Sequence, residues 1–388
     1  MYPPPDDKKT PPAPKTQEAK SNPTDADPAA PRSLTFWDAT PNPRGEGPTS
    51  PVPYDTPALK FQPASDDGLT TGPGLSLTFS EAGEDADGRG DNPTAWPTTS
   101  RPRQAGATLG LYESHMHTAL CKHAKGNIEQ YAHVAEQRGL AGVIVTCHNP
   151  MPDGYAAPMR MDEAQLDEYA MYVERARHVM EGRVDVRLGL EADYVPGYEK
   201  YVEHQLSLYD FDFVLGSVHP QIPEYQDKYY EKDTFKFQQL YFQHLADSAE
   251  TGLFDSLAHP DLIKMLMPRR WSVSKILDDV CKSLDRIAAT GVAMEFNTSG
   301  WRKPMAEPCP GPRILYEMAR RRIPVTLGSD AHSPKRVGEN FRKALRLIQA
   351  AGYRKVSVFQ QRQRHDLDIG TVYRQLTADI AHATTIAT

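Results

Sequence analysis

Between about residue 108 and residue 351 of this 388-residue chain, short apolar runs alternate seven times with longer stretches whose apolar residues recur every three and four positions. An apolar run of four to six residues bounded by turn residues reads as a buried strand. The three-four spacing reads as an amphipathic helix. Strands are expected over 107–112, 142–145, 184–189, 211–215, 254–257, 292–296 and 323–327, with helices over 128–138, 163–180, 197–208, 235–251, 274–290, 312–322 and 338–351. Such a chain is an α/β protein, and seven repeats are one short of the common eight-stranded barrel. The expectation is therefore a distorted seven-stranded (β/α)7 barrel. An open doubly wound sheet is the alternative, but no glycine-rich phosphate loop follows the first run.

The segment before the alternation has another character. Twenty of the 34 prolines and none of the 13 histidines precede residue 108. That mixture of Pro, Gly, Ser, Thr and Asp cannot bury enough apolar surface to offset chain entropy, so 1–107 is expected to be a long disordered proline-rich N-terminal tail. The folded barrel is expected over 108–370, followed by a C-terminal tail over 371–388. A formal charge of −7 argues against a general affinity for nucleic acid. With no apolar stretch of membrane-spanning length and no secretory leader, a cytoplasmic protein is expected, and its cysteines, Cys121, Cys147, Cys281 and Cys309, are expected to be thiols. Nothing in the sequence fixes the oligomeric state.

In β/α barrels the reactive groups follow the carboxyl ends of the strands. Here His115, His117 and His123 follow the first run, His148 the second, Glu191 the third, His219 the fourth, His259 the fifth, and Asp330 and His332 the seventh. Residues two apart at a strand end face the same side, so His115 with His117, and Asp330 with His332, can grip one ion. Imidazoles with a few carboxylates suit Zn²⁺, Mn²⁺ or Fe²⁺, and so many donors exceed the needs of a single ion. Any one of these histidines alone would more often be a hydrogen-bonded core or surface residue, but histidines after five of seven strands form a pattern of another order. His133, His178, His204 and His244 fall in helical stretches, and His365 and His382 near the carboxyl end, where a structural role is expected. Glu295, just before the end of the sixth run, is expected to support a ligand rather than be one.

The succession of an H-x-H, a following His, a T-x-H, a Glu, an S-V-H, an A-H-P-D and a closing G-S-D-A-H resembles the PHP phosphoesterases over roughly 108–370. The stretches His115-Met116-His117-Thr118, Leu120-Cys121-Lys122-His123-Ala124 and Asn297-Thr298-Ser299-Gly300-Trp301-Arg302-Lys303 resemble the histidinol-phosphatase branch in particular. The resemblance implies the seven-stranded barrel and two or three divalent ions. One would be held by His115, His117, bridging Glu191 and Asp330, a second by Glu191, His219 and His259, and a third by His123, His148 and His332. Cys147 departs from the pattern, since relatives usually carry an acid before this histidine. The implied reaction is hydrolysis of a small phosphorylated metabolite, histidinol phosphate first among them, by direct attack of an activated water on phosphorus. Glu191, Asp330 and Arg302 are then the expected catalytic residues. Arg302 is expected to clamp the phosphate, with Lys264 as a second cation, and Tyr155, Tyr194 and Tyr225 to pack at the barrel rim.

Three other readings compete. A hydrolase of the amidohydrolase type shares the H-x-H barrel but distributes its later ligands differently. Another phosphomonoester, a nucleotide or a DNA 3′ end could replace the metabolite. A non-catalytic metal-binding or regulatory module would use the proline-rich segment to engage partners. Deleting residues 1–107 is expected to leave phosphatase activity in place, which a regulatory module would not predict.

Overall fold

The computed structural model describes residues 109–376. The expected tail over 1–107 lies outside the described residues. Seven parallel strands follow one another in a single sheet in chain order: β1 (Tyr112–Glu113), β2 (Gly142–Val145), β3 (Asp185–Asp193), β4 (Phe213–Ser217), β5 (Ser256–Leu257), β6 (Ala293–Asn297) and β7 (Val325–Gly328). Helices connect them: α1 (Ile128–Gln137), α2 (Leu166–Val179), α3 (Glu199–Leu206), α4 (Pro223–Tyr229), α5 (Thr234–Glu250), α6 (Val273–Thr290), α7 (Pro312–Arg320) and α8 (Phe341–Ala350). The sheet nearly closes on itself. Beyond β1 and β7, Met116 bridges Ala331 in parallel, with His117 N–H donating to the Ala331 carbonyl at 2.9 Å and Ala331 N–H to that of His115 at 3.0 Å.

Local chemistry places these elements. Asn127 and Gln130 form a reciprocal capping box at the start of α1, satisfying two of the backbone donors a helix start leaves over. In α6 the residues Ile276, Val280, Leu284 and Ile287, spaced by three and four, are buried, and Gly291 ends the helix at φ 77°, a conformation that costs glycine little. The seam is stitched by Glu113. Its Oε1 accepts the N–H groups of Ser329 (2.8 Å) and His115 (3.1 Å), and its Oε2 accepts Gly338 N–H (2.6 Å) and the Ser329 hydroxyl. Burial pushes this carboxyl up to about 7.

The structure departs from the sequence reading in four places. β3 runs on to Asp193, because Gly189 to Asp193 keep pairing with Phe213 to Ser217, so Glu191 lies within the strand rather than after it. The short helix α4 was not expected. After α8 comes an antiparallel hairpin, β8 (Lys355–Gln360) and β9 (Gln363–Asp368), and residues 369–376 are helical with Val372 and Leu376 buried, so the part of the 371–388 tail that is described is structured. The hairpin packs against the amino ends of the barrel strands. Phe359 joins Tyr112, Ile144, Phe213, Leu215, Ala258 and Ala293 in one buried cluster, Gln360 donates to the Tyr112 hydroxyl at 3.1 Å, and Arg362 donates to the Leu253 carbonyl at 2.7 Å.

Candidate metal centre

The nine residues expected as ligands converge at the carboxyl mouth of the barrel, and Glu191 stands at their middle. Its Oε2 lies 2.9 Å from His148 Nδ1, 3.5 Å from His115 Nε2 and 3.6 Å from His117 Nε2, while Oε1 lies 3.1 Å from His259 Nε2 and 3.3 Å from His219 Nε2. Asp330 Oδ1 is 3.2 Å from His117 Nε2 and 3.7 Å from His115 Nε2. His123 and His332 meet at 2.9 Å through their Nε2 atoms. Two members sit in the left-handed backbone region, His259 at φ 28° and Asp330 at φ 51°, strain that residues with side chains tolerate where the surroundings over-determine them.

Electrostatics confirm how concentrated the charge is. Burial opposes ionisation of Glu191, yet the imidazoles of His148, His115 and His219 hold its carboxyl well below the usual range. Burial likewise acts against Asp330, which His115 and His117 hold low. Burial and neighbouring imidazoles push His123 down to about 3 and His332 well below its ordinary value, so both rings are neutral near neutral pH. Several polar atoms here are buried without a hydrogen-bond partner among the described residues: His115 Nε2, both ring nitrogens of His117 and of His148, and Glu191 Oε2. Buried polar atoms are nearly always satisfied, so a cluster left unsatisfied with lone pairs converging fits a set of divalent ions.

A surrounding layer fixes the rings. Glu295 Oε1 accepts from His115 Nδ1 at 2.7 Å and its Oε2 accepts His259 N–H at 2.8 Å, as expected for a supporting carboxylate. Gly328 makes this possible, since a Cβ there would fall 2.2 Å from Glu295 Oε1 and 2.6 Å from His115 Cβ. Asp193 Oδ1 accepts from His219 Nδ1 at 3.0 Å, while its Oδ2 takes a 2.7 Å bond from the buried Arg160. Carboxylates that accept a ligand's second ring proton set its tautomer and raise its basicity. Asp193 was missed by sequence reading, although its place two residues beyond Glu191 on the same face of the strand was a usable signal.

The expected phosphate cations divide. Arg302 lies at the rim, its Nε 2.9 Å from Glu339 Oε2. Lys303, not singled out from the sequence, is nearer the cluster, with Nζ 3.8 Å from Asp330 Oδ2. Lys264 does not fit the clamp expected of it. It is fully buried, and its ammonium is taken up by Asp261 Oδ2 (2.9 Å), Glu307 Oε2 (3.1 Å) and the Pro308 carbonyl (2.6 Å), so it ties loops together instead of facing a ligand. Tyr155 and Tyr225 line a cavity of about 180 Å³ with Asp153, Tyr198 and Glu224, formed by the loops after β2, β3 and β4. Tyr194 instead packs edge-on to His244. His133, His178 and His204 lie on helix surfaces, His365 lies in β9, and His382 is outside the described residues.

Residues 113–299 match the PHP domain family. A probable histidinol-phosphatase of Deinococcus radiodurans is 42% identical over 258 residues, covering 64% of this chain and 96% of that protein. The histidinol-phosphatase of Bacillus subtilis is 28% identical over 257 residues, 58% of this chain and 95% of its own length. Among solved structures, histidinol phosphate phosphatase from Lactococcus lactis, complexed with zinc, L-histidinol and phosphate, superposes with a TM-score of 0.57 at 20% identity, covering 66% of this chain and all of that one, a likeness of fold. With the seven-stranded barrel, the histidine-rich mouth and a relative matched over nearly its whole length, this chain belongs to the PHP family, in its histidinol-phosphatase branch.

Proposed function

We propose that this chain is a metal-dependent phosphomonoester hydrolase that converts histidinol phosphate and water to histidinol and inorganic phosphate. The observation that carries the reading is Glu191, a buried carboxylate whose two oxygens face separate groups of imidazoles, His115, His117 and His148 on one side and His219 and His259 on the other. The donor set fits two or three divalent ions, with His115, His117, Glu191 and Asp330 holding one, Glu191, His219 and His259 another, and His123, His148 and His332 the third. When bound, such ions supply positive charge for phosphate oxygens and lower the pKa of an attacking water.

The protein's own part is positioning. Glu295 and Asp193 lock His115 and His219 in the tautomer that presents Nε2 to the centre, so little reorganisation accompanies the reaction. Arg302 and Lys303, on the loop after β6, bring fixed positive charge to the edge of the cluster beside Asp330, where a phosphate dianion would bind. Arg302 would exchange its Glu339 partner for phosphate oxygens. The curated relatives named as histidinol-phosphatases support the substrate.

The test is an assay of the purified chain on histidinol phosphate beside a panel of sugar and nucleotide monophosphates, before and after chelation and metal return. Histidinol phosphate is expected to be turned over fastest, with activity lost on chelation. Equal slow rates on every ester would overturn the substrate, and activity indifferent to chelation would overturn the class.

A further inference from the structure

One corner of the cluster offers sulfur. Cys121 and Cys147 are fully buried, and their sulfurs and a ring nitrogen of His117 all lie within 4.8 Å of one another. The Cys121 sulfur is likewise within 4.8 Å of ring nitrogens of His123 and His332. The local fold holds this arrangement. Thr118 caps the short turn Ala119–Cys121 and directs both its hydroxyl and its N–H to Cys147 Sγ, at 3.2 and 3.4 Å. The Cys121 carbonyl accepts from His123 Nδ1 at 2.6 Å, and the Asp330 carbonyl from His332 Nδ1 at 3.1 Å.

The two Nε2 atoms approach each other at 2.9 Å. A tetrahedral ion with metal–nitrogen bonds of about 2.0–2.1 Å would set the two nitrogens roughly 3.3 Å apart, so the pair is close to a ligand spacing. Imidazoles alone, however, are neutral. A divalent ion held only by His123, His148 and His332 would keep its full charge in a buried site, which is costly without an anion. The anionic donor within reach is sulfur, from Cys121, with the Cys147 sulfur beside it.

We propose that the third ion is held by a mixed set of imidazole and thiolate ligands, with Cys121 Sγ as the anionic ligand beside His123 and His332. The proposal rests on the metal-dependent reading above. As the sulfur–metal bond forms, the Cys121 S–H bond breaks and its proton passes to solvent, with no change of oxidation state. A metal–sulfur bond of about 2.3 Å would set sulfur roughly 3.6 Å from the nitrogens, where sulfur and ring nitrogens now lie within 4.8 Å of one another. Such a site favours borderline-soft ions, zinc, cobalt or cadmium, over manganese.

Cobalt(II) reads the ligand directly. The full chain, stripped by chelation, is titrated with Co²⁺ while bound metal is counted and the intense near-ultraviolet thiolate-to-cobalt charge-transfer band is followed. The band is expected to grow in as the third ion binds, to vanish in Cys121→Ser and to persist in Cys147→Ser. Three bound ions in an active enzyme without the band overturn the inference alone, and so does a band that survives Cys121→Ser. A chain that binds no cobalt removes the metal-dependent reading as well. The wild-type titration stands without a variant, should Cys121→Ser fail to fold. Counting free thiols in the unreduced, denatured protein is expected to give all four, and two fewer would mean that the pair is spent in a disulfide, which also overturns the inference.

Discussion

At the amino end of the barrel, Phe359 from the β8–β9 hairpin fills the mouth against Tyr112, Ile144 and Phe213, and charges near it form ion pairs, Arg362 with Asp255 and Arg187 with Asp185 and Asp212. At the carboxyl end the same strands finish in histidines and carboxylates, and among the described residues His115 Nε2 and both ring nitrogens of His117 and His148 are buried without a hydrogen-bond partner. One end gains from burial of apolar surface, and the other gives up that gain to hold lone pairs in a fixed constellation. The difference teaches that stability and chemistry are divided along the barrel axis. Mutations at the two ends should therefore fail in different ways.

The largest effect is expected from Glu191→Gln, which removes the carboxylate shared by both imidazole groups. We expect kcat/KM to fall by ~10³-fold or more, about 4 kcal/mol of transition-state stabilisation, with fewer ions retained on metal analysis. Full activity in this variant would break the division at its functional end. Phe359→Ala should do the reverse. Chemical denaturation is expected to show a loss of about 3–5 kcal/mol of stability, while the activity of the molecules still folded stays near wild type. A comparable loss of activity per folded molecule would show that the two ends are coupled.

Smaller effects sharpen the boundary. Arg302→Ala removes charged hydrogen bonds worth about 1.5–3 kcal/mol each, so steady-state kinetics should show kcat/KM reduced ~10–100-fold with metal content unchanged. Asp193→Asn keeps the shape but weakens the acceptor that orients His219, and a competitive chelator titration is expected to find metal affinity lower by ~10-fold. An unchanged affinity would confine the metal centre to the inner ring of residues.

Much of this was legible because the barrel's grammar is local. β2 spans the four residues its apolar run marks, and the histidines after five of the strands needed only the rule that strand ends line the mouth. What escaped depends on partners distant in sequence. Lys264 looks like a free loop cation until Glu307 and the Pro308 carbonyl, more than 40 residues away, are found against it. The hairpin escaped for another reason. β9 reads Gln-Arg-His-Asp-Leu-Asp, a polar strand whose pairing is set by its neighbour β8 rather than by its own periodicity. Asp193 lay beyond the apolar run that marked β3, so the strand's true end hid a carboxylate aligned with Glu191.

Gly110, just before β1, lies beside the Gln375 side chain at the close of the described residues. Both ends of the barrel domain therefore leave from one neighbourhood, which makes the domain a natural candidate for circular permutation. A chain joined from 376 to 109 by a short linker and reopened in an exposed connection on the amino side would keep every strand neighbour and the whole constellation at the carboxyl mouth. It would also carry the preceding segment to a new point of attachment, separating what that segment does from where it is tethered.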